Sequence, residues 1–267
     1  TLLPLIFYRF LRLFLTFWPA VIAIAFFLFT RLGKHFGFSY FLYSREVGWG
    51  YPEPLAYGLF LVGLILLLRV WRHPEGTGIG LHFWAGLALA VAVACRPNLA
   101  PGTAILLSSW AVLCLPRRQP GRLAILSLGF APILLIPLHN WIFGEVLVLF
   151  TSSATIEANL RMPPASYLAA LIAVLQLDLQ APVVGEVLGH LKAWSGPFRF
   201  LCFGLLLAGV MRWKAMPGPL RLIGWIALVQ HAVLWFYPPD IRYAFLAWFL
   251  TMVVLLVMAK DIALPWL

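Results

Sequence analysis

Four polar groups interrupt an otherwise apolar chain: Tyr51-Pro52-Glu53-Pro54, Arg96-Pro97-Asn98, Leu138-His139-Asn140-Trp141 and Pro238-Pro239-Asp240-Ile241-Arg242-Tyr243. Their residue types suit a definite chemistry. Glu53 and Asp240 are carboxylates at membrane depth, where polar side chains are expensive and therefore informative. Arg96 and Arg242 are fixed positive charges with forked hydrogen-bond donors. Asn98, His139 and Asn140 add neutral hydrogen-bonding groups.

Each group also has a purely structural use. Glu53 favours the positive end of a helix dipole, and Arg96 can snorkel to an interface. Pro97 and Pro101 end helices, His139 and Asn140 cap neighbouring helices, and Asp240 with Arg242 forms a local ion pair. Of the six histidines, His82 and His231 fall in apolar stretches, but no second His stands at a spacing that would share a haem or pigment. No His/Asp/Glu cluster has metal-ligand spacing, so neither metal nor other cofactor is expected. Cys95, Cys114 and Cys202 lack any CxxC spacing and read as packing residues.

The elements that must position these groups follow from composition. The chain of 267 residues is 63% hydrophobic and only 10% charged, with a mean hydropathy of +0.95, whereas soluble domains carry about 25% charged residues. The reading is an all-α polytopic transmembrane bundle forming one domain over 1–267. About eight spans are expected, at 10–30, 53–71, 81–95, 103–115, 123–143, 197–211, 219–237 and 241–259. The spans 81–95 and 103–115 are short for a bilayer that needs roughly 20 residues, so they read alternatively as one re-entrant pair around Arg96. Helices are required because every backbone group in lipid must be satisfied within the segment or in a closed barrel, and the alternation of a barrel is absent.

Basic residues give the orientation. With the N-terminus cytoplasmic, the inner side carries Arg9, Arg12, Arg69, Arg72, Arg117, Arg118, Arg122, Arg212, Lys214, Arg221 and Lys260, eleven of the 19 Lys and Arg. All four polar groups then reach the outer side, as do Glu46, Glu145, Glu157, Asp178 and Glu186. The net charge of +10 follows from these helix-end cations and forms no nucleic-acid patch. The outer segments are the long ones, 31–52 and 144–196. The second is expected to hold short interfacial helices, one around 167–175 and another at 183–194.

The order of motifs in this frame resembles the GT-C superfamily of membrane glycosyltransferases, of a mannosyltransferase-like, polyprenyl-phosphate-sugar-dependent kind. The resemblance rests on Leu42-Tyr43-Ser44 before Glu53-Pro54-Leu55, Ala85-Gly86-Leu87-Ala88, Arg96-Pro97-Asn98, His139-Asn140-Trp141 and Asp240-Ile241-Arg242-Tyr243. It implies transfer of a sugar from a polyprenyl-phosphate donor on the outer face. Arg96 and Arg242 would hold the lipid phosphate, and His139 and Asn140 the sugar or phosphate oxygens. The family's acidic catalytic loop would fall upstream of Thr1, and Glu46 and Glu53 are isolated, so no catalytic residue is assigned and an N-terminally incomplete or degenerate member is expected. The competing reading is a non-enzymatic accessory subunit of a larger membrane complex, partnered by lipids and other membrane proteins. Short inner loops and an outward working face suit a bacterial inner membrane.

Overall fold

A computed structural model describes residues 2–29, 52–73, 78–115, 119–148, 162–194, 197–211, 216–236 and 241–263, with only the backbone for 27, 194, 197–200, 241, 242 and 261–263. Among the described residues the regular structure is entirely helical. In chain order the helices are α1 (Leu3–Leu11), α2 (Phe17–Phe29), α3 (Glu53–Arg72), α4 (Gly80–Cys95), α5 (Ala100–Cys114), α6 (Pro120–Phe130), α7 (Leu135–Gly144), α8 (Pro164–Leu175), α9 (Pro182–Trp194), α10 (Pro197–Met211), α11 (Gly218–Leu234) and α12 (Ile241–Ala263). Single 3₁₀ turns link α4 to α5 at Pro97–Leu99 and α6 to α7 at Ala131–Leu134. Proline stands in the first turn of α1, α3, α5, α6, α8 and α11, where its missing N–H costs nothing and its fixed φ starts a helix.

Among the described residues, three stretches are long and apolar enough to cross a membrane: Glu53–Arg72, Pro120–Gly144 and Tyr243–Lys260. They differ in surroundings, because 67% of the first and 61% of the third are buried in protein, against 11% of the second. The expected span over 10–30 is not one helix. The chain turns at Arg12–Thr16, where the Arg12 side chain bonds the Leu15 carbonyl at 3.2 Å. Overall hydropathy records the solvent a stretch prefers and not its turns; Arg12, Thr16 and Pro19 are the local marks of this one. Leu3 and Ile6 pack on Gly58 near the start of α3, and Phe14 lies under the Arg72 guanidinium at its end, 5.2 Å away. Hence α1 runs in the same direction as α3.

The core joins α1 to α6 with α10, α11 and α12. The backbones of α4 and α6 approach closely, where a Cβ on Gly86 would meet the Leu126 carbonyl and one on Gly129 would meet the Phe83 carbonyl. Two glycines facing each other's backbone allow the axes to approach as small-residue contacts do in membranes. The bundle therefore has two distinct ends. At one, Trp71, Trp110 and His82 cluster, with ring centres 6.5 and 5.6 Å apart, beside Gly218. Glu53, Arg96 and Tyr243 gather at the other.

Candidate functional site

The site begins with a helix that cannot continue. Arg96 precedes a proline, which disfavours helical backbone, and it adopts φ −144°, ψ 96° while its N–H still bonds the Ala92 carbonyl at 2.9 Å. The 3₁₀ turn Pro97–Leu99 follows, and Pro101 starts α5. The turn releases the Arg96 side chain toward the first turn of α3, where it forms an ion pair with Glu53. Glu53 is 0% exposed and Arg96 23% exposed.

A wholly buried carboxylate is tolerable only when paired, so the guanidinium fixes how α3 meets the α4–α5 turn. On its other face Arg96 lies 5.5 Å from the centre of the Tyr243 ring, a distance at which the ring's negative face attracts the cation. Tyr57, one turn beyond Glu53 and also fully buried, donates its hydroxyl to the Tyr243 carbonyl at 3.4 Å. Three separate elements thus converge on one neutral pair.

The remaining predicted site residues are dispersed. Asn98 lies in the same turn, and its buried Oδ1 has no hydrogen-bonding partner in the protein. Asn140 is buried, but its Nδ2 donates to the Val148 carbonyl at 3.2 Å, closing the turn after α7 in which Glu145 takes a left-handed φ of 54°. His139 is exposed and rests 4.9 Å from the Phe143 ring. Asp240 lies outside the described residues, as do 31–51. Arg242 is described only as backbone in the first turn of α12.

Other functional groups were missed by the sequence reading. Thr103 and Gln230 are 1% and 3% exposed, and their Oγ1 and Nε2 atoms have no partner in the protein. A methyl group at position 102 would sit 2.6 Å from Gln230 Nε2, so Gly102 leaves room for that amide. The available signal was a glutamine inside an apolar helix, which is expensive in a membrane and therefore informative.

Next to this end sits a helical hairpin formed by α8 and α9, with a small core of Met162, Ala170, Ala173, Val184 and Val187. Both helices deliver a donor to one carbonyl. Tyr167 Oη–H and His190 Nε2–H reach the Trp235 oxygen at 2.5 and 2.6 Å. That oxygen follows the last turn of α11, where carbonyls lack intrahelical partners. The Met162 N–H reaches the Phe236 carbonyl at 3.4 Å, and the Tyr167 and Phe236 rings meet edge to face at 5.4 Å. Burial pushes the Tyr167 phenol up to about 12. The hairpin's other face leaves Leu168, Leu171, Ile172, Leu175, Leu177, Leu179 and Leu188 exposed. Inside α11, His231 Nε2–H donates to Thr251 Oγ1 at 2.9 Å, and that hydroxyl donates to Ala247 O at 2.8 Å, joining α11 to α12.

No protein-family model, curated protein or solved structure matches the chain. The arrangement itself concentrates polar groups at one end of an apolar bundle. It offers a cation already neutralised by Glu53, unpaired neutral polar atoms within a few residues of it, and an apolar hairpin attached at the same end.

Proposed function

We propose that this protein is an integral membrane protein of about eight spans whose Glu53–Arg96 end binds a polyprenyl-phosphate-linked sugar, as the membrane body of a GT-C-like glycosyltransferase or its remnant. The observation that carries the reading is the buried Glu53–Arg96 pair at a proline-enforced break between α4 and α5. Buried charge in an apolar bundle is costly and is characteristic of functional sites. Arg96 is the phosphate ligand in this reading, with Arg242 one residue from the ring that supports it. Glu53 neutralises the guanidinium when no phosphate is bound. Asn140 is spent on its own turn, and the reading gives it no part in binding the headgroup.

In a bacterial inner membrane the basic end faces the cytoplasm and the Glu53 end faces out. Because α1 runs parallel to α3, we infer that the Arg12–Thr16 turn lies on the cytoplasmic side and the start of α1 toward the outer side, the reverse of the cytoplasmic N-terminus expected from the basic residues. The exposed leucines of α8 and α9 then lie in the outer interface, where an amphipathic surface helix buries its apolar face.

The purified protein should bind a polyprenyl monophosphate carrying a hexose, and Arg96→Ala should weaken that binding at least tenfold. Full affinity in Arg96→Ala would remove the assignment. An accessory-subunit reading is favoured by one observation, the 11% burial of Pro120–Gly144, which leaves a whole span for a neighbour. Recovery from native membranes only within a stoichiometric assembly, without sugar transfer, would select it.

A further inference from the structure

Four polar atoms near the Arg96 break have no partner in the protein: Arg96 Nε, Asn98 Oδ1, Thr103 Oγ1 and Gln230 Nε2. Buried groups of this kind are normally satisfied, and each unsatisfied one calls for an explanation. Arg96, Asn98 and Thr103 fall within eight residues across the turn and the start of α5. Gln230 reaches the same place from α11, since its amide nitrogen lies against Gly102. Thr103 and Gln230 are at least 97% buried.

The chemistry of the set is selective. An anion would call for donors throughout, and a cation for acceptors throughout. Here Arg96 Nε–H and Gln230 Nε2–H are donors, Asn98 Oδ1 is an acceptor, and the Thr103 hydroxyl is both. The charge beside them is already cancelled by the Glu53–Arg96 pair. A mixed, uncharged set matches a group whose hydroxyls both donate and accept.

We propose that Thr103 and Gln230, with Asn98, form the subsite for the sugar ring of the lipid-linked ligand and determine preference for the glycosylated over the bare lipid phosphate. The inference rests on the reading of Arg96 as the phosphate ligand and extends it by one ring. It also explains why polar groups persist at these positions. An unpaired buried hydroxyl or amide destabilises the free protein, so Thr103→Val and Gln230→Met should not lower its thermal stability, whereas they remove partners from the bound ring.

The test measures binding of two probes to the protein in detergent, a polyprenyl monophosphate bearing one hexose and the same polyprenyl monophosphate without it. The expected result is a preference of about tenfold for the hexose-bearing lipid, falling to about twofold or less in Thr103→Val and in Gln230→Met. Affinity for the bare lipid and the melting temperature should hold or rise in both variants, and Thr103→Ser should keep the preference. Equal affinity of the unmodified protein for the two lipids, or a preference retained in both variants, overturns the sugar subsite and leaves the phosphate reading standing. Failure to bind either lipid overturns both.

Discussion

The Glu53–Arg96 knot and the α8–α9 hairpin occupy the same end of the molecule but are held by different means. The knot is surrounded: Glu53 and Tyr57 are fully buried, Tyr243 backs the guanidinium, and the core helices pack around it. The hairpin is hung, with a small core of its own and attachment through hydrogen bonds that include two to a single carbonyl. Stability is not uniform in such a molecule. The comparison teaches that this end combines a densely packed polar floor with a hairpin that has its own small core and is joined to the bundle by hydrogen bonds.

The largest effect should come from unbalancing the knot. Arg96→Ala or Glu53→Ala alone leaves a buried charge and should cost about 3–5 kcal/mol, whereas replacing both with apolar residues of similar volume should cost far less. Denaturant titration of the purified protein measures both, and additive losses in the double variant would break the contrast. Next, Gly86→Ala forces a methyl into the Leu126 carbonyl and should destabilise by about 1–3 kcal/mol, as overpacking does; thermal melting reads it.

Removing one donor from the hairpin should act locally. Tyr167→Phe should cost about 1 kcal/mol, appearing as faster amide exchange in 164–194 while exchange in α3 and α12 stays unchanged. Exchange that accelerates equally in the bundle would show the hairpin is not separable. The smallest effect is a pH dependence. The Tyr167 pKa is raised from 10.0 to about 12, so the folded state favours the protonated phenol. Its contribution is complete below pH 10 and is lost as pH rises from 10 toward 12. Tyr167→Phe should abolish that alkaline loosening of the hairpin.

The helical class and most helix positions were legible because prolines and apolar runs act locally. The turn at Arg12–Thr16 falls in a mostly apolar stretch, where Arg12, Thr16 and Pro19 are weak marks of it. The Glu53–Arg96 pairing was accessible only as residue types, since 43 positions separate partners that the fold alone brings together. Asn140 was legible as a polar residue at helix depth but not as the closing bond of its own turn. Thr103 and Gln230 escaped because each looks unremarkable alone, and their meaning arises from burial and from the space Gly102 leaves.

The break at Arg96 has a further consequence for the lipid around it. The 16 residues of α4 rise only about 24 Å, at 1.5 Å per residue, against a hydrocarbon thickness of about 30 Å. Placed in a bilayer, α4 alone would fall about 6 Å short of a full crossing, a mismatch that thinning or tilting of adjoining lipids would take up.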